Sequence, residues 1–129
     1  MKLKQIIKIL NAEVISNNNK DVDIKMGCGS DLMSDVLTYT KPDSILLTGL
    51  TNIQVIYTAS TAGVKAICFV RGKEPPEETV ELGRKKNIAL VTTKLPMFES
   101  CGRLYSEGLI GCSEVSEISE RCGKWGDRD

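Results

Sequence analysis

VKAICFVRG, residues 64–72, decides the fold. Ala66 to Val70 are apolar without a break, whereas a strand with one face in water would alternate, so this strand must be covered on both faces. SILLTG at 44–49 and NIALVTT at 87–93 have the same character. The segments between them have helical period. Thr51 or Asn52 can cap the first, which sets Ile53, Ile56 and Ala59 on one side and closes at Gly63. Pro75 and Pro76 open the second, with Glu77 and Glu78 in its first turn and Lys85 and Lys86 in its last, each sign placed to favour the helix dipole. A third starts at Pro96, turns Met97, Cys101, Leu104 and Tyr105 inward and stops at Gly108. From residue 44 the order is β-α-β-α-β-α, which predicts an α/β fold: one mainly parallel open sheet with right-handed crossovers, flanked by helices.

Upstream, Leu3, Ile6, Ile7 and Leu10 recur at i, i+3, i+4 and i+7, an amphipathic helix. AEVIS, residues 12–16, reads as a short strand, and NNNKD as a turn. Val22, Ile24 and Met26 then alternate with charged residues, which predicts a half-exposed strand. After Gly27-Cys28-Gly29-Ser30, the positions Leu32, Met33, Val36 and Leu37 predict a helix face, capped by Ser30 or Asp31 and ended by Pro42. Past about residue 110 the composition turns to serine, glycine and charge. The domain is therefore set at 1–110 and residues 111–129 are read as a polar tail, disordered in expectation, with a short helix through Val115, Ile118 and Cys122 as the alternative and Trp125 as an anchor or docking residue.

A chain of 129 residues suits one domain that buries about two thirds of its unfolded surface. Seventeen basic residues balance seventeen acidic ones, so no net field draws it to nucleic acid or to an anionic membrane. The opening MKLKQIIKIL is interrupted by Lys8 and followed by no cleavage site, and no run approaches the ~20 apolar residues of a span. A cytoplasmic location is expected. Five cysteines stand at 28, 68, 101, 112 and 122, with no C-x-x-C pair, and histidine is absent. Reduced thiols are expected rather than a disulfide framework. Without imidazole, Ser-His and Cys-His nucleophile pairs and most zinc sites are excluded, so neither catalysis nor a metal or cofactor is expected.

Ligands of open α/β sheets lie outside the carboxyl ends of the strands. Those ends are predicted to be Gly27-Cys28-Gly29-Ser30 with Asp31, then Thr48-Gly49-Leu50-Thr51-Asn52, then Arg71-Gly72-Lys73, then Thr92-Thr93-Lys94. Backbone amides, hydroxyls and the cations Arg71 and Lys94 at one edge fit a pocket for a small anionic ligand. A structural reading stands beside this one: Gly27 and Gly29 provide positive φ, while Ser30, Asp31, Thr51 and Asn52 cap helices. Nucleotide motifs are absent. A dinucleotide fingerprint needs glycine where Leu32 stands, and no Gly-Lys-Ser or Gly-Lys-Thr occurs. Cys28 is either a thiolate favoured by a helix dipole or a small residue packed at a turn; Cys68 reads as core. Asp31 and Asp35 share a helix face, for a cation or for the helix dipole.

CGSDLMSDVL, LLTGLTNIQVI, VKAICFVRGKEPPEE and TTKLPMFESCGRLY, in this order and spacing, resemble the stand-alone members of the DRTGG domain family over roughly residues 1–110. That family is similar to the amino-terminal domain of HPr kinase/phosphorylase, and related domains lie within CBS-domain pyrophosphatases and some phosphotransacetylases. The resemblance implies a non-catalytic regulatory or accessory domain that binds a small anionic ligand, a nucleotide among the candidates, in anaerobic redox or sensor systems. It also implies a homodimer, and a redox-complex or sensor-kinase partner. The alternative is an interaction module of a hydrogenase-type complex with no small-molecule ligand. The namesake motif corresponds to Thr48–Asn52, where Leu50 and Thr51 replace the usual Asp-Arg pair.

Overall fold

The computed structural model describes residues 1–18 and 21–112. In chain order the elements are α1 (Leu3–Leu10), β1 (Glu13–Ser16), β2 (Met26–Gly29), α2 (Met33–Tyr39), β3 (Ser44–Thr48), α3 (Ile53–Ala62), β4 (Ala66–Phe69), α4 (Glu77–Lys85), β5 (Ala89–Thr92), α5 (Met97–Ser106) and β6 (Ile110–Gly111). The strands form one sheet in the order β1-β5-β4-β3-β2-β6, in which β1 runs antiparallel to β5 and all other pairs are parallel.

β3, β4 and β5 are buried at every position, as their unbroken apolar runs require. Successive side chains feed two cores. Ile45, Leu47, Ala66, Cys68, Ala89 and Val91 meet Leu3, Ile6 and Leu10 of α1 and Leu104 of α5. Leu46, Ile67, Phe69 and Leu90 point the other way, to Val36 of α2, Val55, Ile56 and Ala59 of α3, and Val80 and Leu82 of α4. Each fully buried Leu, Ile or Phe contributes about 1.5–3 kcal/mol relative to exposure. The layers are thus α1 and α5, then the sheet, then α2, α3 and α4.

The predicted helix ends at Gly63 and Pro76 are where the sequence sets them. Gly63 closes α3 at φ 79°, and α4 follows Pro76 with Glu77 and Glu78 in its first turn and Arg84 and Lys85 in its last. Five readings are corrected. Residues 22–24 are not a strand of the sheet: Leu3 N donates to Val22 O (3.0 Å) and Ile24 N to Met1 O (2.8 Å), so their partner is the start of the chain. The strand is Met26–Gly29, which shares only Met26 with the predicted one and contains the glycines. α2 buries Val36 alone among its predicted face, leaving Leu32 at 57% and Leu37 at 52% exposure, because only one side of it meets α3. Neither Ser30 nor Asp31 caps it: Ser30 Oγ accepts from Leu32 N (3.0 Å) in the turn before the helix. Asn52 stands at the start of α3 without a side-chain cap, and Tyr105 of α5 points outward.

β6 has no counterpart among the predicted elements. It pairs Met26 with Ile110 and Gly27 with Gly111, and Cys112 after it is buried. Readings of residues 113–129, with Val115, Ile118, Cys122 and Trp125, lie outside the described residues.

Candidate functional site

The parallel strands β2 to β5 bring the four predicted carboxyl ends to one edge, as expected, but the edge is divided. After β4 the chain goes to α4 on one face; after β5 it goes to α5 on the other. Adjacent strands whose connections part to opposite faces leave a crevice between them, the customary ligand position in such sheets. Here the loops that follow β4 and β5 remain tied together: Arg71 N donates to Leu95 O (3.0 Å) and Gly72 N to Thr93 O (2.7 Å). Arg71 at φ 61° and Gly72 at φ 69° make the left-handed turn that permits this.

The opening is therefore displaced toward α1. A hollow of about 360 Å³ is lined by the end of α1 and the start of β1 (Leu10 to Glu13), by Gly72 and Glu74, by Thr92 to Leu95, and by Arg103 of α5. That volume lies at the lower end of the ~300–1,000 Å³ typical of small-molecule sites. The hydroxyls in its wall are committed, since Thr93 Oγ1 donates to Leu10 O (2.7 Å) and Thr92 Oγ1 to Lys73 O (2.8 Å). The groups left for a ligand are two cations, Lys94 and Arg103, and two carboxylates, Glu13 and Glu74. Among the described residues none of these four joins an ion pair.

Gly27 and Gly29 lie elsewhere. They line a cleft of about 160 Å³ between β2, β6 and α5, too small for a nucleotide. Neither has positive φ, which corrects that reading of them. Their purpose is contact: a Cβ on Gly29 would sit 2.7 Å from Cys101 Sγ and 3.1 Å from Met97 Sδ, and one on Gly27 would sit 3.1 Å from Leu109 Cδ2. α5 and the chain after it rest directly on bare backbone. Cys28 is within the strand, not at a helix start, and packs against the core on the α2 side.

The predicted strand end Thr48–Asn52 closes on Asp31. Asp31 Oδ1 accepts from Thr48 Oγ1 (2.9 Å) and from Gly49 N (2.7 Å), and Leu50 N donates to Thr48 Oγ1 (3.2 Å). A carboxylate thus holds the amide that an anion would need. Thr51 O accepts from Thr79 Oγ1 (2.9 Å) and ties this loop to α4. Arg71 projects on the outer side of α5, in an open groove with Met97, Phe98 and Tyr105.

No curated protein matches the chain. The family model of the DRTGG domain matches residues 5–106. The chain belongs to the DRTGG domain family. Among solved structures, this DRTGG domain is similar to the CBS and DRTGG domains of the regulatory region of Clostridium perfringens pyrophosphatase, crystallised with the activator diadenosine tetraphosphate. The TM-score is 0.69 and the identity 20%, over 79% of this chain and 45% of that one. The likeness is one of fold, and this DRTGG domain spans less than half of its neighbour. At Thr48–Asn52, the stretch set against the namesake motif, the loop of this DRTGG domain is organised by Asp31.

Three thiols of this DRTGG domain, Cys68, Cys101 and Cys112, are held toward the neutral form. Burial, and then the neighbouring Cys101, push the Cys68 thiol up to about 12, and burial raises Cys101 and Cys112 as well. Among the described residues no group of three or more acidic or cysteine side chains could hold a metal ion, and no helix is long and apolar enough to cross a membrane. Arg103, Glu13 and Glu74 were not among the predicted site residues. Lys94 was, and it lines the polar hollow together with Thr92 and Thr93 of the same predicted strand end.

Proposed function

We propose that this DRTGG domain is a non-catalytic regulatory domain that binds a small anionic ligand of the nucleotide class in the hollow bounded by α1, β5 and α5. The single observation that carries the reading is the pairing of two cations, Lys94 and Arg103, with two carboxylates, Glu13 and Glu74, around about 360 Å³ where the sheet connections diverge. The cations suit phosphate oxygens. A glutamate suits ribose hydroxyls or an exocyclic amine, which inorganic phosphate lacks. The activator bound to the regulatory region of the similar pyrophosphatase, diadenosine tetraphosphate, is of this chemical class and supports the choice. Isothermal titration of the full chain with AMP, ATP, diadenosine tetraphosphate and phosphate tests it. Saturable heat from at least one nucleotide, weakened tenfold or more in Lys94→Ala/Arg103→Ala, is the expected result. Flat heats throughout with an unchanged melting temperature would remove the reading.

A second reading has its own observation. Phe98 is 86% exposed and Tyr105 63%, two turns apart on α5 and lining one open groove with Arg71. Such a face suits a protein partner, whether a second copy, a redox-complex subunit or a sensor kinase. Sedimentation equilibrium separates the first of these from the rest: a concentration-dependent dimer lost in Phe98→Ser/Tyr105→Ser favours self-association, and a monomer at every concentration rules it out.

A further inference from the structure

The four charges around the polar hollow are separated by sign. Glu13 stands across the β1–β5 ladder from Thr92, and Thr92 Oγ1 donates to Lys73 O (2.8 Å), one residue before Glu74. Both carboxylates therefore flank the point where the chain leaves for α4. Arg103 belongs to α5, which packs on the other face of the sheet, and Lys94 to the short connection from β5 to α5. The hollow thus has an acidic end and a basic end. Arg103 also lines a second hollow of about 450 Å³ along α5, whose other charged walls are Glu99 and Glu107. These two stand one turn before and one turn after Arg103, on the same stripe of the helix. Both are exposed, and among the described residues neither joins an ion pair.

We infer that the polar hollow selects nucleoside monophosphates over nucleotides with longer phosphate chains, and that Glu99 and Glu107 enforce the choice. The inference rests on the nucleotide reading given above. A terminal phosphate carries a charge of about −1.5 to −2 at neutral pH, which Lys94 and Arg103 together balance. They hold it at the α5 end, and the sugar and base extend toward Glu13 and Glu74. Added phosphates lie at the end remote from the nucleoside, so with the nucleoside seated they project past Arg103 into the second hollow. There each further negative charge meets a carboxylate and no additional cation, and like charges brought together oppose binding. The volume agrees, since about 360 Å³ is near the bottom of the range for small-molecule sites.

The test is isothermal titration of the full chain with AMP, ADP and ATP, in EDTA and at low salt, for the native protein and for Glu99→Gln/Glu107→Gln. Affinity is expected to fall in the order AMP, ADP, ATP, with AMP about tenfold or more tighter than ATP. In Glu99→Gln/Glu107→Gln the ratio contracts toward one, because ATP gains more than AMP. Asp35→Asn/Glu81→Gln removes the same charge from exposed sites on α2 and α4, on the other face of the sheet, and keeps the native ratio. ATP binding as tightly as AMP, a ratio unchanged in Glu99→Gln/Glu107→Gln, or an equal contraction in Asp35→Asn/Glu81→Gln overturns the inference while the nucleotide reading stands. Flat heats with all three nucleotides remove both.

Discussion

Gly29 has no room for a side chain, and the obstacle is sulfur: Cys101 Sγ at 2.7 Å and Met97 Sδ at 3.1 Å from an ideal Cβ. Gly29→Ala is therefore expected to destabilise by about 1–3 kcal/mol through overpacking. Cys101→Ala empties the nearer position, so the same substitution made in that background should lose distinctly less; urea denaturation of the four members of the cycle reads the coupling. An additive cycle would mean that α5 does not rest on β2 as described. The buried thiols make a second prediction. The fold holds Cys68 neutral, with its thiol raised from 9.0 to about 12, while the unfolded chain ionises near its ordinary value. A raised acid contributes stability that is complete below the unfolded value and is lost as pH climbs through the folded one. Stability should be level up to about pH 9 and then fall by up to about 1.4 kcal/mol per pH unit for this one thiol. Cys101 and Cys112 add to the fall in the same direction. Denaturation from pH 8 to 10.5 checks this, and Cys68→Ala should flatten the slope by one proton.

At the scale of elements, α3 depends on the residue that closes it. Gly63 sits at φ 79°, its amide donates to Ser60 O, and a Cβ there would lie 3.1 Å from Pro42 Cα. Gly63→Ala is expected to cost about 1–3 kcal/mol, since it meets both left-handed strain and a backbone atom that cannot swing aside. Asn, more tolerant of that φ, should lose no less, because its Cβ meets the same proline; thermal melts decide. Such ends were legible because glycine and proline act locally, and β3, β4 and β5 were legible because a doubly covered strand needs an unbroken apolar run. β2 was not. Met-Gly-Cys-Gly has low strand propensity and no alternation, and it is a strand because β3 on one side and β6 on the other supply its hydrogen bonds. The face read into α2 failed for a related reason: periodicity shows which residues share a side, but only packing against α3 shows how much of that side is covered.

For the whole molecule, the parallel direction of β3, β4 and β5 was legible, and the antiparallel β1 and the edge strand β6 were not. Polar strand ends pointed to the edge on which the proposed hollow opens. They did not show that Asp31 occupies the Gly49 amide, or that α5 fills the space over Gly27 and Gly29. The polar hollow depends on β1 lying antiparallel beside β5 and on α1 packing against α5. These relations bring Glu13, Glu74, Lys94 and Arg103 together from separate parts of the chain, and no local pattern encodes them. The central claim is that a nucleotide binds there and not at the glycines. Its most direct test is a set of ¹H–¹⁵N correlation spectra of the labelled chain titrated with the tightest nucleotide found by calorimetry. Saturable shifts of the Asn11, Gly72, Lys94 and Arg103 amides are predicted, with Gly27, Gly29 and Gly49 unmoved. Shifts confined to Gly27–Asp31 and Gly49–Asn52, or none at any concentration, would contradict it.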